Sequence, residues 1–305
     1  MLEFKRDLKS SDLAGTGEKQ SVAIKSVTAA FGLTFLKIII GFATGSLGII
    51  AEAAHSGLDL LAAVMTTVAV KISGKPADRE HPYGHGKAEN LSALFETALL
   101  LFTCYWIIST AIQRILAQKV EIEVNIWSFL VMIISIIVDV TRSRMLYKAA
   151  RKYNSQALEA DALHFRTDIW SSSVVILGLV CVKLSDWLKG YEFLHYADTV
   201  AAIMVGLIVI QVSIELGIRA IRELLDAAPA GLEEKIIATV EALPGVQDCH
   251  QVRIRSSGAQ HFVDLHVLMN GKRSLKDAHL LTEEIERVIQ QILPNADVTV
   301  HPEPN

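Results

Sequence analysis

Apolar residues fill long unbroken stretches over roughly the first three quarters of the chain, then give way to short periodic patterns. A membrane helix needs about 20 mostly apolar residues, and six stretches meet that measure, at about 23–45, 50–73, 91–116, 125–149, 160–185 and 198–222. Turn or polar material separates them. Gly45-Ser46-Leu47-Gly48 joins the first two, and Lys75-Pro76-Ala77-Asp78-Arg79-Glu80 follows the second. The third connection holds Lys119, Glu121 and Glu123, and the fourth Arg142, Arg144, Lys148, Arg151 and Lys152.

From about residue 230 the pattern reads helix, strand, strand, helix, strand. Gly231 to Leu243 has helical spacing and stops at Pro244-Gly245. Asp248–Arg255 and Phe262–Met269 alternate as strands, with Ser256-Ser257-Gly258 as the turn. Ser274 is a good N-cap for a helix to Leu293, which Pro294-Asn295 ends. Asp297–His301 alternates as a last strand. The expected fold is therefore an α-helical membrane protein. Six transmembrane helices precede a small α+β ferredoxin-like (αββαβ) domain. The expected boundaries are an N-terminal tail at 1–20, a six-helix domain at 21–226 and the small domain at 227–305.

Composition sharpens this picture. The chain is 51% hydrophobic over 305 residues, with a net charge of only −4, so nothing resembles the basic footprint of a nucleic-acid binder. Three cysteines, Cys104, Cys181 and Cys249, lack CxxC spacing, which argues against a disulfide framework or a thiolate cluster. The first apolar run follows a polar segment and is too long for a signal h-region, so no cleavable leader is expected. Lys and Arg mark the tail, the connections after spans two and four, and the end of span six at Arg219 and Arg222. Those segments share one side, so both termini are expected in the cytoplasm.

Ionisable residues inside a bilayer are functional candidates by default. Span two carries His55-x-x-x-Asp59 and span five carries His164-x-x-x-Asp168. Residues four apart project about 40° from one another, so each helix offers an imidazole and a carboxylate to one point. Two such helices supply four ligands of the kind zinc takes tetrahedrally. Imidazole also suits other first-row metals. Singly, such a pair on a soluble helix is ordinary surface chemistry. Two copies, both within spans, are not. Lys37 is placed to snorkel, Glu96 to pair with another helix, and Asp139 and Glu215 to sit near helix ends; none is expected to be a ligand.

At these residues the sequence resembles the cation diffusion facilitator family. The resemblance rests on Gly45-Ser46-Leu47, His55-x-x-x-Asp59, His81-Pro82-Tyr83-Gly84-His85-Gly86-Lys87-Ala88-Glu89, His164-x-x-x-Asp168 and Arg253-Ile254-Arg255-Ser256-Ser257-Gly258, and covers nearly the whole chain. It implies a homodimer in the lipid bilayer, exchanging Zn2+ for protons by alternating access. Histidine at position 55, as in zinc-selective branches, favours zinc over iron or manganese, with cadmium and cobalt still able to pass.

Asp78, His81 and His85 have a spacing that can wrap one ion, and the resemblance makes them a second, weaker site. It also implies an inter-subunit ion pair between Lys87 and Asp226. Five of the ten histidines fall in the last quarter: His250, His261, His266, His279 and His301. The family's cytoplasmic metal sites at the dimer interface match His250, His266, His279 and His301, and Glu303 stands where some relatives have Asp. His261 has no counterpart and reads as a surface residue; Cys249 reads as a buried strand thiol. The absence of a long His-rich loop between spans four and five points to a prokaryotic inner membrane. The competing readings are a passive channel or uptake pore, a non-transporting partner subunit, and a membrane enzyme. Four protein ligands leave no open position for hydrolysis, and all four being present argues against a silent partner.

Overall fold

The computed structural model of the protein describes residues 2–45, 47–117, 126–187, 194–294 and 296–305. Six long helices come first: α1 (Leu2–Thr44), α2 (Leu47–Ser73), α3 (Lys87–Ala117), α4 (Ile126–Tyr153), α5 (Gln156–Trp187) and α6 (Leu194–Leu224). Then come α7 (Leu232–Glu241), β1 (Val246–Ser257), β2 (Gln260–Met269), α8 (Leu275–Ile292) and β3 (Ala296–Pro304). Helix α1 begins at Leu2, within the expected N-terminal tail, and continues into the first apolar stretch. The charged connection between α3 and α4 lies outside the described residues. The chain divides into two compact units, one of residues 14–71 and 91–220, the other of 1–13, 72–90 and 221–305.

The helical unit is built inside out relative to a soluble protein. Along α2 most buried positions are small or polar, Ala53, Ser56, Ala62, Ala63, Thr66 and Ala69, with Ile49 and Val70 the larger apolar ones. The exposed ones are Leu58, Leu61, Val64, Met65 and Val68. On α1, Ser26, Ala30, Thr34 and Lys37 are inside while Phe31, Phe35, Ile39 and Phe42 face out. Small residues let helix backbones approach where lipid, not water, surrounds them, and an apolar exterior costs nothing there. Among the described residues, Gly17–Thr44 and Glu52–Ser73 are long and apolar enough to cross a bilayer; the sequence pattern led us to expect six such stretches. At the α4–α5 connection, Asn154 takes φ 48° and Ser155 N–H bonds back to Ala150 O at 3.0 Å. That is the Schellman closure, which satisfies an orphan helix carbonyl.

The other unit holds a two-layer domain. β1 and β2 pair antiparallel, and β3 lies beside β2 in parallel, giving the order β1-β2-β3. Helices α7 and α8 cover one face. Ile236, Val240, Leu281, Ile285 and Ile289 pack there on Val263, Leu265, Val267, Ile254 and Val298. The strict alternation of β2 puts Asp264, His266 and Leu268 on the opposite face. The hairpin loop is Gly258-Ala259, because Ser257 still pairs with Gln260; Ser256 and Ser257 of the expected Ser-Ser-Gly turn lie in β1 instead. Gly258 has φ 60°, the first position of a type II′ loop, which glycine fills without steric cost. Ser274 caps α8 as expected, accepting from Asp277 N–H.

One irregularity sets the chemistry of the open face. Between His250↔His266 and Arg253↔Asp264, β1 advances three residues against two on β2. The extra residue, Gln251, has φ 50°. Side chains alternate with period two, so without this bulge Val252 and Ile254 would face away from the core. The bulge lets β1 bury Cys249, Val252 and Ile254 while keeping His250 and Arg253 on the other side.

Candidate metal-transport site

Helices α2 and α5 bring the two His-x-x-x-Asp motifs together in the helical unit. His164 Nε2 lies 3.1 Å from Asp59 Oδ1 and 3.6 Å from Asp168 Oδ2. His55 Nε2 lies 3.9 Å from Asp59 Oδ1 and 3.8 Å from Asp168 Oδ1. Imidazole and carboxylate thus alternate around a ring of four side chains, Asp168 using one oxygen toward each histidine. A tetrahedral zinc with ligands at about 2.0–2.1 Å has ligand–ligand edges of about 3.3 Å. The four N···O distances bracket that value; His55, Asp59 and Asp168 each place a ligand atom within 4.8 Å of the other two, and His164 joins them through Asp59 and Asp168. His164 is almost fully buried, and His55, with its side chain 40% accessible, is the most open of the four.

Buried polar groups surround this ring. Lys37 Nζ donates to Ser56 Oγ at 2.7 Å and to Glu52 at 3.2 Å, tying α1 to α2 next to His55. Lys37 is 3% exposed, so it does not snorkel. Its two partners offset the cost of burying an ammonium. Asp139 is mid-helix on α4 and buried, against the expectation of a helix end; Arg142 Nη1 is 3.5 Å from its Oδ1. The Arg142 guanidinium lies 3.5 Å from the centre of the Phe165 ring, and Phe165 meets the His164 ring edge-on at 5.6 Å. Glu96 pairs with Thr66 of α2, as a helix-to-helix contact. Glu215 is exposed, where Gln211 donates to it at 3.3 Å. Sequence reasoning gave no role to Arg142, Asp161 or Phe165. A signal was present for Asp161, which precedes His164 by three residues and so shares its helix face.

The loop candidates also assemble. Asp78 Oδ1 is 3.4 Å from His81 Nδ1, and Asp78 Oδ2 is 3.4 Å from His85 Nε2. The Asp78 carboxylate accepts the backbone N–H groups of His81 (2.7 Å) and Glu80 (3.0 Å). The His81 bond is the largest influence and, with the Glu80 bond, holds Asp78 below the usual carboxylate range against the opposing effect of burial. This loop rests on the β1–β2 hairpin. Arg255 stacks over Tyr83 at 3.7 Å, and Tyr83 meets Phe262 edge-on at 5.1 Å. Gly86 abuts Ser257 so closely that a Cβ there would overlap the Ser257 carbonyl.

Lys87 pairs with Asp226 at 2.8 Å within the chain. Asp226 has φ 58° because it occupies the left-handed position that ends α6. Its own N–H bonds Glu223 O, and Ala227 N–H bonds Arg222 O. Lys87 also donates to the Leu224 carbonyl at 3.2 Å, so it caps this terminus.

On the open face of the sheet, strand register lines up His250, His266 and His301, one per strand. Their rings stand 5.8 Å and 4.7 Å apart in turn. The expected last strand is longer than its pattern suggested, and its extension carries Glu303 onto the same face, two residues beyond His301. His266 Nδ1–H donates to Glu303 Oε1 at 2.7 Å, and His250 Nε2 is 3.3 Å from Glu303 Oε2. The His266 bond is the main cause of the Glu303 carboxyl titrating below its ordinary value. His250 Nδ1–H donates to Asp248 at 2.7 Å, which orients its other nitrogen toward the cluster.

His279 stands apart on α8, 70% accessible and near Glu283. His261, expected at the surface, is half-buried against Ser256 Oγ at 3.1 Å, and burial lowers its pKa. Cys249 is buried as expected, and desolvation pushes its thiol up to about 11, which leaves it unreactive at neutral pH.

A bundle exposing apolar side chains, with a cation-sized ring of imidazole and carboxylate inside, defines a class: membrane proteins that handle metal ions. Comparison with known proteins gives the family. The cation efflux transmembrane domain matches residues 23–225, and the cation efflux cytoplasmic domain matches 228–305. The chain belongs to the cation diffusion facilitator family of cation efflux transporters, and it is an integral membrane protein.

It is 31% identical over 288 residues to the cation-efflux pump FieF of Yersinia enterocolitica, covering 93% of this chain and 92% of that one. It is 32% identical over 285 residues to FieF of Salmonella arizonae, covering 92% and 91%. Among solved structures, it is 38% identical to the metal-bound C-terminal domain of the CzcD transporter from Thermotoga maritima, covering 24% of this chain and 86% of that one, TM-score 0.23. It is also 26% identical to the zinc form of the transporter CzrB, covering 26% and 92%, TM-score 0.25.

Proposed function

We propose that this protein exports Zn2+ from the cytoplasm in exchange for protons, through the ring formed by His55, Asp59, His164 and Asp168. The observation that carries this reading is the alternation of two imidazoles and two carboxylates at N···O distances of 3.1–3.9 Å. In this account α1–α6 each cross the bilayer of a bacterial inner membrane, both termini are cytoplasmic, and two copies form a homodimer. Imidazoles and carboxylates must be free of protons to hold a metal. Metal arriving from the cytoplasm therefore displaces protons, and protons arriving from the other side displace the metal. His55 and His164 alternate between metal-bound and protonated forms.

The Asp78–His81–His85 cluster and the His250–His266–His301–Glu303 row serve as accessory cytoplasmic sites in this reading. The latter has the donor set of a zinc site, and the CzrB and CzcD neighbours are described with zinc or metal bound. Cytoplasmic zinc held there adjusts the pairing of the two copies. His279, exposed on α8, is available to a second copy rather than to its own row.

The test is flux in proteoliposomes with zinc, cadmium, iron and manganese under a pH gradient. Zinc transport with counter-movement of protons is expected, and Asp168→Ala is expected to abolish it while the dimer persists. Zinc flux without proton counterflow makes the protein a passive pore, and normal flux in Asp168→Ala removes the site.

A further inference from the structure

Helix α1 contributes no side chain to the ring, yet its buried stripe is polar and reaches both helices that do. Toward α2, Lys37 Nζ donates to Ser56 Oγ at 2.7 Å and to Glu52 Oε2 at 3.2 Å, although the lysine side chain is only 4% accessible. One turn earlier, Thr34 Oγ1 donates to the Ser56 carbonyl at 3.0 Å. One turn later, Gly41 lies so near α2 that an added Cβ would come 3.0 Å from the Ile50 side chain. Toward α5, Ser26 Oγ donates to Asp161 Oδ2 at 3.5 Å, and it accepts from Arg142 Nε at 3.3 Å and Nη2 at 3.2 Å. Ser26, Thr34 and Lys37 are all buried.

These contacts fall beside the ring. Ser56 follows His55 and precedes Asp59 by three residues, and Asp161 precedes His164 by three, so each anchor shares a helix face with a ring member. The width of the ring is the separation of α2 from α5, and the distances made by His55, 3.8 and 3.9 Å, are its longest. An apolar stripe would pack α1 at less cost than an ammonium that needs partners to be buried. What the polar stripe adds is direction: hydrogen bonds hold an angle and a register that apolar contacts do not. A ring of fixed width favours the cation whose bond lengths match it. Zinc bonds nitrogen and oxygen at about 2.0–2.2 Å. Cadmium, a larger ion of the same charge, needs a wider ring.

We propose that α1 is a brace for the transport site: Thr34 and Lys37 on Ser56, and Ser26 on Asp161, hold α2 and α5 at the separation that suits zinc and disfavours larger divalent cations. Ser26, Thr34 and Lys37 are positioning residues. They act through the helices that carry the ring and do not touch the transported ion. This inference rests on the transport reading given above and adds to it the origin of the choice between cations of equal charge.

The test is the ratio of kcat/KM for zinc over that for cadmium, measured with the full chain in proteoliposomes under one pH gradient. Both ions carry the same charge and meet the same protons, so the ratio reads the geometry of the ring. The variants are Lys37→Met, which keeps the length of the stem, Thr34→Val, which keeps the size of the side chain, and Glu52→Gln as the control. Glutamine at 52 keeps an acceptor for Lys37 and leaves Ser56 untouched. Losing an outer partner of a metal site costs the fitted ion about 10- to 100-fold. Zinc is expected to fall by that order in Lys37→Met and by less in Thr34→Val. Cadmium is expected to fall less than zinc in both, so the ratio drops. In Glu52→Gln the ratio is expected to stay at the wild-type value.

An unchanged ratio in Lys37→Met and Thr34→Val overturns the brace and leaves the transport reading intact. Should Lys37→Met not fold, an unchanged ratio in Thr34→Val does the same. A ratio that falls as far in Glu52→Gln as in Lys37→Met also overturns the brace, because charge and not position then sets the choice. So does a wild type that carries both ions equally well. Wild-type protein that moves neither ion overturns the transport reading itself.

Discussion

Replacing Gly86 with alanine tests whether the loop carrying Asp78, His81 and His85 is seated on the sheet. An alanine Cβ at 86 would overlap the carbonyl of Ser257 and come within 2.8 Å of its hydroxyl. Ser257 cannot step aside cheaply. It pairs with Gln260 at the end of the hairpin, and the adjoining Gly258 is fixed in the left-handed region. The loop must therefore lift. Forcing a methyl group into packed structure costs about 1–3 kcal/mol.

If that cost falls on loop seating alone, local opening rises about 5- to 150-fold. The amides to watch are those of Gly84, Ala88 and Glu89, which bond to His81, His85 and Gly86 carbonyls at 3.0–3.1 Å. Hydrogen–deuterium exchange over 81–89 is expected to accelerate by that factor in Gly86→Ala, together with the segment around Tyr83 and Phe262. Gly32→Ala is the control. It is a helical position with nothing within 4 Å of the added Cβ, so the change is expected to be neutral or stabilising by up to about 1 kcal/mol. Unchanged exchange over 81–89 in Gly86→Ala would refute the seating and the close approach on which it rests.

In the sheet domain, His266→Ala is expected to remove zinc-induced protection of β1–β3 while His279→Ala leaves it in the same chain, read by exchange with and without zinc. Glu303 offers a pH check. Its folded-state pKa is lowered by the His266 donor, so its contribution is fully present above the unfolded value near 4.3 and is lost as pH falls through the depressed one. A carboxyl titration by NMR that shows Glu303 protonating above the ordinary glutamate range would contradict this. Ile285→Ala, at a fully buried position between α8 and the sheet, is expected to cost about 2–5 kcal/mol and to raise exchange across the domain toward global opening.

Much of this arrangement is legible in the residues alone. Period-two alternation in 262–269 sorted Val263, Leu265 and Val267 from Asp264 and His266, because one face of that strand meets two helices. The His-x-x-x-Asp spacing placed each pair on one helix face, and the structure closes the two pairs into a ring. What the pattern hid has physical reasons. The bulge at Gln251 breaks the period, since a glutamine at φ 50° carries no mark of the left-handed region that a glycine would. The last strand runs past His301 through Pro302 and Pro304, which fit on an edge strand where no ladder donor is needed. Lys37 read as a candidate for snorkelling because its partners, Ser56 and Glu52, lie on another helix. Asp139 looked terminal because its cation, Arg142, sits one turn on and read as the start of a connection.

The most direct measurement of the account is where zinc sits in the full-length protein, seen as anomalous scattering at the zinc edge. The prediction is an ion between α2 and α5 at about 2.0–2.2 Å from one nitrogen each of His55 and His164 and one oxygen each of Asp59 and Asp168. Zinc confined to the loop and the sheet row, with those four side chains bearing none under saturating metal, would contradict it.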